Sequence, residues 1–191
     1  MRDVIYVYMK EPQVRVLGPG VRYVLWVQGC RQHCRGCIAG NAKNMEDGMP
    51  VKIAALGLEI ALSKAEGLTI SGGEPFLQAE ELCAMLDMIR RKRDMGVIVY
   101  TGYCYEELCR QEEAKGLLSR IDILIDGPYR EELDDGKSLR GSSNQRVLFL
   151  TDRYRGHEGE YGQDGRETEL FHHGIQVHQI GIPDHRNMKE E

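Results

Sequence analysis

Val21-Arg22-Tyr23-Val24-Leu25-Trp26-Val27-Gln28 is a nearly unbroken run of β-branched, aromatic and aliphatic residues, and it leads straight into Gly29-Cys30-Arg31-Gln32-His33-Cys34-Arg35-Gly36-Cys37. A run that is apolar at both odd and even positions reads as a strand buried on both faces, opening after the breaker Gly18-Pro19-Gly20. Three cysteines then occupy the loop at its C-terminal end.

Outward from that strand, helix and strand signals alternate. Residues 51 to 65 place Val51, Ala54, Leu58 and Leu62 on one helical face, and Gly67 opens a strand at Leu68-Thr69-Ile70. Leu82, Met85, Leu86 and Ile89 recur at helical i, i+3, i+4 and i+7 spacing, with Arg90 to Arg93 at the end that favours positive charge. Val97 to Thr101 predicts a third strand, Tyr105 to Leu118 a helix, and Ile121 to Ile125 a fourth strand broken by Asp126-Gly127-Pro128. This alternation calls for parallel strands joined by right-handed helical crossovers, an α/β sheet or barrel with its site at the strand C-terminal ends. Past Arg140 the pattern weakens to a strand at Val147 to Leu150, a polar glycine-rich loop from Gly156 to Gly165, and a strand from Gly174 to Ile182.

The bulk composition sets the class. With 191 residues and 41% hydrophobic content the chain can build one core without disulfides, so a single domain over 1–191 is expected. Lys and Arg number 25 against 30 Asp and Glu, and no long block of either sign is present, which argues against a nucleic-acid partner. The apolar run Val4 to Met9 is too short for a signal-peptide core or a membrane span, so a cytoplasmic protein with no membrane partner is expected.

In a reducing compartment six cysteines point to metal binding or buried thiols. Cys30, Cys34 and Cys37 form a C-x3-C-x2-C array, a spacing that lets one loop wrap three thiolates around an inorganic centre. Structural zinc usually takes a fourth Cys or His, and His33 is too close in sequence to complete a tetrahedron easily, although zinc stays open as an alternative. A cubane held by three cysteines leaves one iron open, which marks reactivity. Cys83, Cys104 and Cys109 do not share the spacing; Cys83 and Cys109 fall on predicted helices and read as buried thiols. A second motif, Ser71-Gly72-Gly73-Glu74-Pro75, follows the strand at 68–70. Its glycines permit close backbone approach and its carboxylate suits an ammonium group.

These two motifs resemble the radical S-adenosylmethionine superfamily, whose hallmark is a C-x3-C-x2-C loop after the first strand of a partial (βα)6 barrel. The resemblance implies a [4Fe-4S] cluster on Cys30, Cys34 and Cys37. It also implies S-adenosylmethionine held near Gly36, Ile38, Gly72, Gly73, Glu74 and Thr101, with Glu74 facing the cofactor's ammonium. Thr101, in Tyr100-Thr101-Gly102-Tyr103, lies where related enzymes place polar groups near the ribose. Gly36 replaces the aromatic residue usual in the wider superfamily, a change that a role of its backbone carbonyl survives.

Within the superfamily, residues 14 to 150 resemble the activating components of anaerobic class III ribonucleotide reductases. The matching stretches include Gly18 to Arg22, Gln28-Gly29-Cys30, Asp122 to Gly127 and Arg140-Gly141-Ser142-Ser143-Asn144-Gln145-Arg146. What this implies is reductive cleavage of S-adenosylmethionine to a 5′-deoxyadenosyl radical that takes hydrogen from a glycine of a large glycyl-radical partner. A reduced electron donor such as flavodoxin would supply the electron. The last run has no evident chemistry and reads as a polar turn. Residues 151 to 191 extend beyond the stretch such activators share and carry five of the six histidines. His172, His173 and His178 fit an alternating strand better than a metal site. That strand is expected along the barrel edge, leaving the mouth open to a protein substrate. The alternatives are a stand-alone radical S-adenosylmethionine enzyme acting on a peptide or small molecule, and a non-catalytic iron–sulfur or zinc module.

Overall fold

The computed structural model describes residues 3–161, 163 and 165–183. Seven strands form one sheet in the order β3-β1-β2-β4-β5-β6-β7: β1 Val4–Val14, β2 Arg22–Val27, β3 Met49–Lys52, β4 Gly67–Gly72, β5 Gly96–Tyr100, β6 Ile123–Asp126 and β7 Arg146–Phe149. The central four, β2, β4, β5 and β6, run parallel, while β1, β3 and β7 pair antiparallel at the two sides. Helices α1 Ile53–Leu62, α2 Ala79–Arg90, α3 Tyr105–Leu108 and α4 Glu112–Leu118 lie in the crossovers. Among the described residues no helix is long and apolar enough to cross a membrane.

The period-2 geometry of the strands sorts their side chains into two cores. Tyr23, Leu25 and Val27 of β2, Leu68 and Ile70 of β4, and Val97 and Val99 of β5 pack against the helices. All six β2 residues are buried, because the opposite face is covered too. There Val24 and Trp26 pack with Ile180 and Ile182, and Ile98, Ile123 and Ile125 pack with Phe149, Tyr154 and Tyr161. The residues past 148 therefore cover the helix-free face of the sheet.

Three expectations are corrected here. Helix α1 begins at Ile53, Val51 belongs to β3, and the buried face is Ile53, Leu56, Gly57, Ile60 and Ala61; Leu58 and Leu62 point outward. The buried set follows i, i+3, i+4, i+7 and i+8 from Ile53, a wider stripe than the i+4 row that includes Leu58 and Leu62. The single helix from Tyr105 to Leu118 is two, separated at Gln111, whose backbone is extended. Leu108 and Ala114 are six residues apart, a spacing that no straight helix puts on one face, and the break brings both into the core.

The third correction concerns 174–182. It is not an edge strand of the main sheet. Strands β8 Thr168–His173 and β9 Gln176–Gly181 form their own antiparallel hairpin, turning at Gly174 with φ +64. Its inward residues are Phe171, Ile180 and Ile182, whereas Ile175 is fully exposed and Val177 half-exposed. The hairpin is fastened to β1: His173 Nε2 lies 2.8 Å from Glu11 Oε2, and the Arg15 amide donates to Glu169 Oε2 at 2.6 Å. His178 stacks edge-on against His173, so these histidines serve the hairpin contact, and no three metal-binding side chains converge on one ion among the described residues.

Fully buried Arg22 ties the same face together. Its guanidinium donates to Thr69 Oγ1 at 3.1 Å, to the carbonyls of Leu68 and Gly96 at 2.6 and 3.0 Å, and to the Tyr154 hydroxyl at 2.6 Å. A buried charge needs this many partners.

Candidate functional site

The C-terminal ends of β2, β4, β5 and β6 open on one cleft of about 460 Å³. Cys30, Cys34, Cys37 and Ile38 of the first loop line it, with Ser71 to Glu74 after β4, Tyr100 to Gly102 after β5, and Gly127 and Tyr129 after β6. Two motifs some forty residues apart in sequence thus meet for a geometric reason: parallel strands present all their exits at the same edge.

Backbone hydrogen bonds lock the two loops together. The Gly73 amide donates to Val27 O at 2.8 Å and the Glu74 amide to Gly29 O at 2.7 Å, while Gly29 and Cys30 donate to Ala42 O and Lys43 O at 2.7 and 3.0 Å. A Cβ on Gly73 would lie 2.2 Å from Gly29 O, so only glycine permits this approach. Gln28 Nε2 donates to Asn44 O at 2.7 Å, and Gln78 Nε2 to Tyr6 O and Gln28 O at 3.0 and 3.1 Å. These two buried glutamines brace the cysteine loop against β1. Sequence reasoning assigned them no role, although Gln28, a polar residue directly after the apolar run Tyr23 to Val27, was a signal.

Glu74 is buried. Its Oε1 accepts from Thr101 Oγ1 at 2.8 Å and the Phe76 amide at 3.1 Å, and its Oε2 accepts from the Gly102 amide at 2.8 Å. Burial outweighs these bonds and pushes its carboxyl up to about 7. Glu74 and Thr101 thus form a strut between the β4 and β5 exits. A carboxylate has about four lone-pair sites, so Oε2 keeps acceptor capacity toward the cleft.

All three cysteines are partly exposed free thiols in the cleft wall. Burial pushes the Cys30 and Cys34 thiols up, against the opposing amides of Gln32 at Cys30 and Tyr129 at Cys34. Binding iron would have to displace those protons. The three thiols line one cleft, and thiolates are the donors that hold iron–sulfur clusters. The buried Tyr100 hydroxyl in the same wall has no hydrogen-bond partner among the described residues, an orphan that a polar ligand would satisfy. Cys83, Cys104 and Cys109 do not line the cleft; Cys83 packs against the helical core. Gly36 does not line it either. Its φ of +67 turns the chain, and a Cβ there would sit 3.1 Å from the Glu131 carboxyl carbon.

Two further walls went unread in the sequence. The 140–146 run is a clasp: Gln145 Nε2 donates to Gly127 O at 2.9 Å, Asn144 Nδ2 to Pro128 O at 2.7 Å, and the Arg130 amide to Ser142 Oγ at 3.1 Å. It holds the β6 exit loop over the cleft. The hairpin supplies the other wall, from Val177 to Pro183, beside the same cleft that holds Cys30 and Glu74. The expectation of a mouth left free of residues 151–191 is therefore corrected: burying Ile180 and Ile182 against Trp26 is worth about 1.5–3 kcal/mol per side chain, and it draws β9 over the cleft.

Comparison with known proteins bears on residues 16–148, which match the family described as a 4Fe-4S single cluster domain. The anaerobic ribonucleoside-triphosphate reductase-activating protein of Enterobacteria phage T4 is 33% identical over 143 residues, covering 72% of this chain and 89% of that protein. The protein of the same name from Vibrio cholerae serotype O1 is 37% identical over 147 residues, covering 71% and 92%. The Escherichia coli K12 protein of that name is 32% identical over 145 residues, again covering 71% and 92%.

Proposed function

This chain belongs to the family of anaerobic ribonucleoside-triphosphate reductase-activating proteins, and from that premise we propose that its cleft holds a [4Fe-4S] cluster and S-adenosylmethionine and installs a glycyl radical on a cognate anaerobic ribonucleotide reductase. The observation that carries this reading is the meeting of Cys30, Cys34, Cys37 and the Gly72-Gly73-Glu74 loop in one cleft at the parallel strand ends. The sheet is read as a radical S-adenosylmethionine barrel reduced to four parallel strands.

In that reading a cluster reduced by a donor such as flavodoxin would supply one electron to S-adenosylmethionine, giving methionine and the radical that takes hydrogen from glycine. The protein's residues do the positioning. Cys30, Cys34 and Cys37 would hold the cluster. Glycine at 72 and 73 lets the backbone come close to the methionyl end, and the free acceptor capacity of Glu74 Oε2 receives its ammonium. Tyr100 offers its orphan hydroxyl, and Ile38 and the hairpin add apolar surface to the cleft wall.

A second reading has its own support. Residues 177–183 wall the cleft beside Cys30 and Glu74, which favours a narrow substrate, a peptide or small molecule handled by a stand-alone enzyme. Anaerobic incubation of the reconstituted protein with reductant, S-adenosylmethionine and an anaerobic ribonucleotide reductase tests the choice. The glycyl-radical doublet in the electron paramagnetic resonance spectrum supports the first reading; cofactor cleavage without that signal supports the second.

A further inference from the structure

Strand β9 stands edge-on beside the cleft. Its residues Val177 to Gly181, and Ile182 and Pro183 after them, all line it. A strand that turned one face to the cleft would contribute alternate residues only, because neighbouring side chains point to opposite faces. Among the described residues β9 pairs with β8 alone, so its other side is an open edge.

The register says which backbone groups that edge offers. The two-residue turn Gly174-Ile175 makes His173 and Gln176 a hydrogen-bonded pair, and the alternation of the antiparallel ladder then directs the N–H and C=O of Val177 and Gln179 away from β8. No described residue hydrogen-bonds to these four groups. The strand also contains no Lys, Asp, Glu or Pro, the residues that commonly guard an edge against pairing. Both ends of the hairpin are held. His173 meets Glu11 near the turn, and at the other end Arg166, its side chain 1% exposed, pairs with Asp134 at 2.8 Å and donates to Pro183 O at 3.0 Å. Arg166 donates further to the carbonyls of Lys137, Arg140 and Gly141. An edge fixed before anything binds costs less entropy to pair.

We propose that β9 receives an extended segment of the anaerobic ribonucleotide reductase as an added strand, which lays the partner's glycine-bearing backbone across the cleft that holds Cys30 and Glu74. The inference rests on the reading that this chain takes hydrogen from a glycine of such a reductase. Glycine has no side chain to grip, so the segment around it has to be recognised through its backbone, and an open strand edge supplies donors and acceptors for that. In strand addition main-chain bonds give affinity and contacts to alternate side chains give specificity. Exposed Tyr8, Ile38 and Val177 in the same cleft wall offer apolar contacts to residues flanking the glycine. The strand lies beyond residues 16–148, the stretch that matches the family.

The test measures binding of the full chain, reconstituted anaerobically, to an anaerobic ribonucleotide reductase, for wild type, Gln179→Pro and Gln179→Ala. Proline removes the outward N–H and sets its ring on the open edge without taking a bond from β8, whereas alanine removes only the side chain and its bond to Thr168 Oγ1. The expected affinity is about tenfold or more weaker for the proline variant and within about threefold of wild type for the alanine variant. In wild type, hydrogen–deuterium exchange should slow across Val177 to Gly181 when the reductase is added, and this decides the matter if the proline variant does not fold. Equal affinities of the two variants, or unchanged exchange in a complex that forms, overturn this inference alone. Exchange that slows at high concentration of this chain without reductase assigns the edge to a second copy and overturns it as well. A wild-type chain that neither binds the reductase nor yields a glycyl radical on it overturns the functional reading too.

Discussion

The amide of Glu74 donates a 2.7 Å hydrogen bond to the carbonyl of Gly29, so the residue preceding the first cysteine and the carboxylate motif form one unit. Gly73 sits at the closest point of that contact. Replacing Gly73 by Ala sets a methyl group against the backbone carbonyls of Gly29 and Ala42, neither of which is the movable end of a side chain. The variant is expected to lose about 1–3 kcal/mol of stability from overpacking and most of its iron uptake. Urea unfolding and iron analysis check this, and native values for both would contradict it.

Glu74 gives the apoprotein a pH signature. Its folded carboxyl titrates at about 7 against an ordinary 4.5, so between those values the unfolded chain gives up a proton that the folded chain keeps. Stability therefore falls as pH rises from about 4.5 to 7 and levels off above, a loss of about 2–4 kcal/mol from this group. Glu74→Gln removes that component. The stability difference between wild type and variant, from denaturant unfolding at pH 5 and pH 7.5, should move in the variant's favour at the higher pH; a constant difference would refute the assignment.

Tyr154 supplies the only side chain beyond residue 148 that hydrogen-bonds Arg22 among the described residues. In Tyr154→Phe the ring stays over the guanidinium at 5.8 Å, but a buried N–H donor loses its partner, at a cost of about 1–3 kcal/mol. Urea midpoints of the full chain should record it. A change below about 0.5 kcal/mol, the size of an ordinary surface substitution, would mean that the segment does not brace β2.

The parallel strands and cysteine loop were legible because local signals coincided: a strand apolar on both faces, then thiolates at fixed spacing, then Gly72-Gly73-Glu74 after the next strand. The role of the 140–146 run was not, since its partners are backbone carbonyls of Gly127 and Pro128, which have no signature in the side-chain sequence. The hairpin was misplaced because alternation in 174–182 is compatible with either face. The choice fell to Trp26 and Val24, distant apolar residues that bury Ile180 and Ile182 and leave Ile175 and Val177 outside. Arg166 has no pattern around it in the sequence, and only its five carbonyl and carboxylate partners reveal a buried anchor.

The most direct test of the central claim is anaerobic reconstitution with iron and sulfide followed by reduction with S-adenosylmethionine present, for wild type, Cys34→Ala and Cys83→Ala. The account predicts a brown, air-sensitive protein that releases 5′-deoxyadenosine and methionine for wild type and Cys83→Ala. For Cys34→Ala it predicts neither cluster nor product, because two thiolates do not retain a cubane whose fourth iron already lacks a protein ligand. Normal iron content and 5′-deoxyadenosine formation in Cys34→Ala would contradict it.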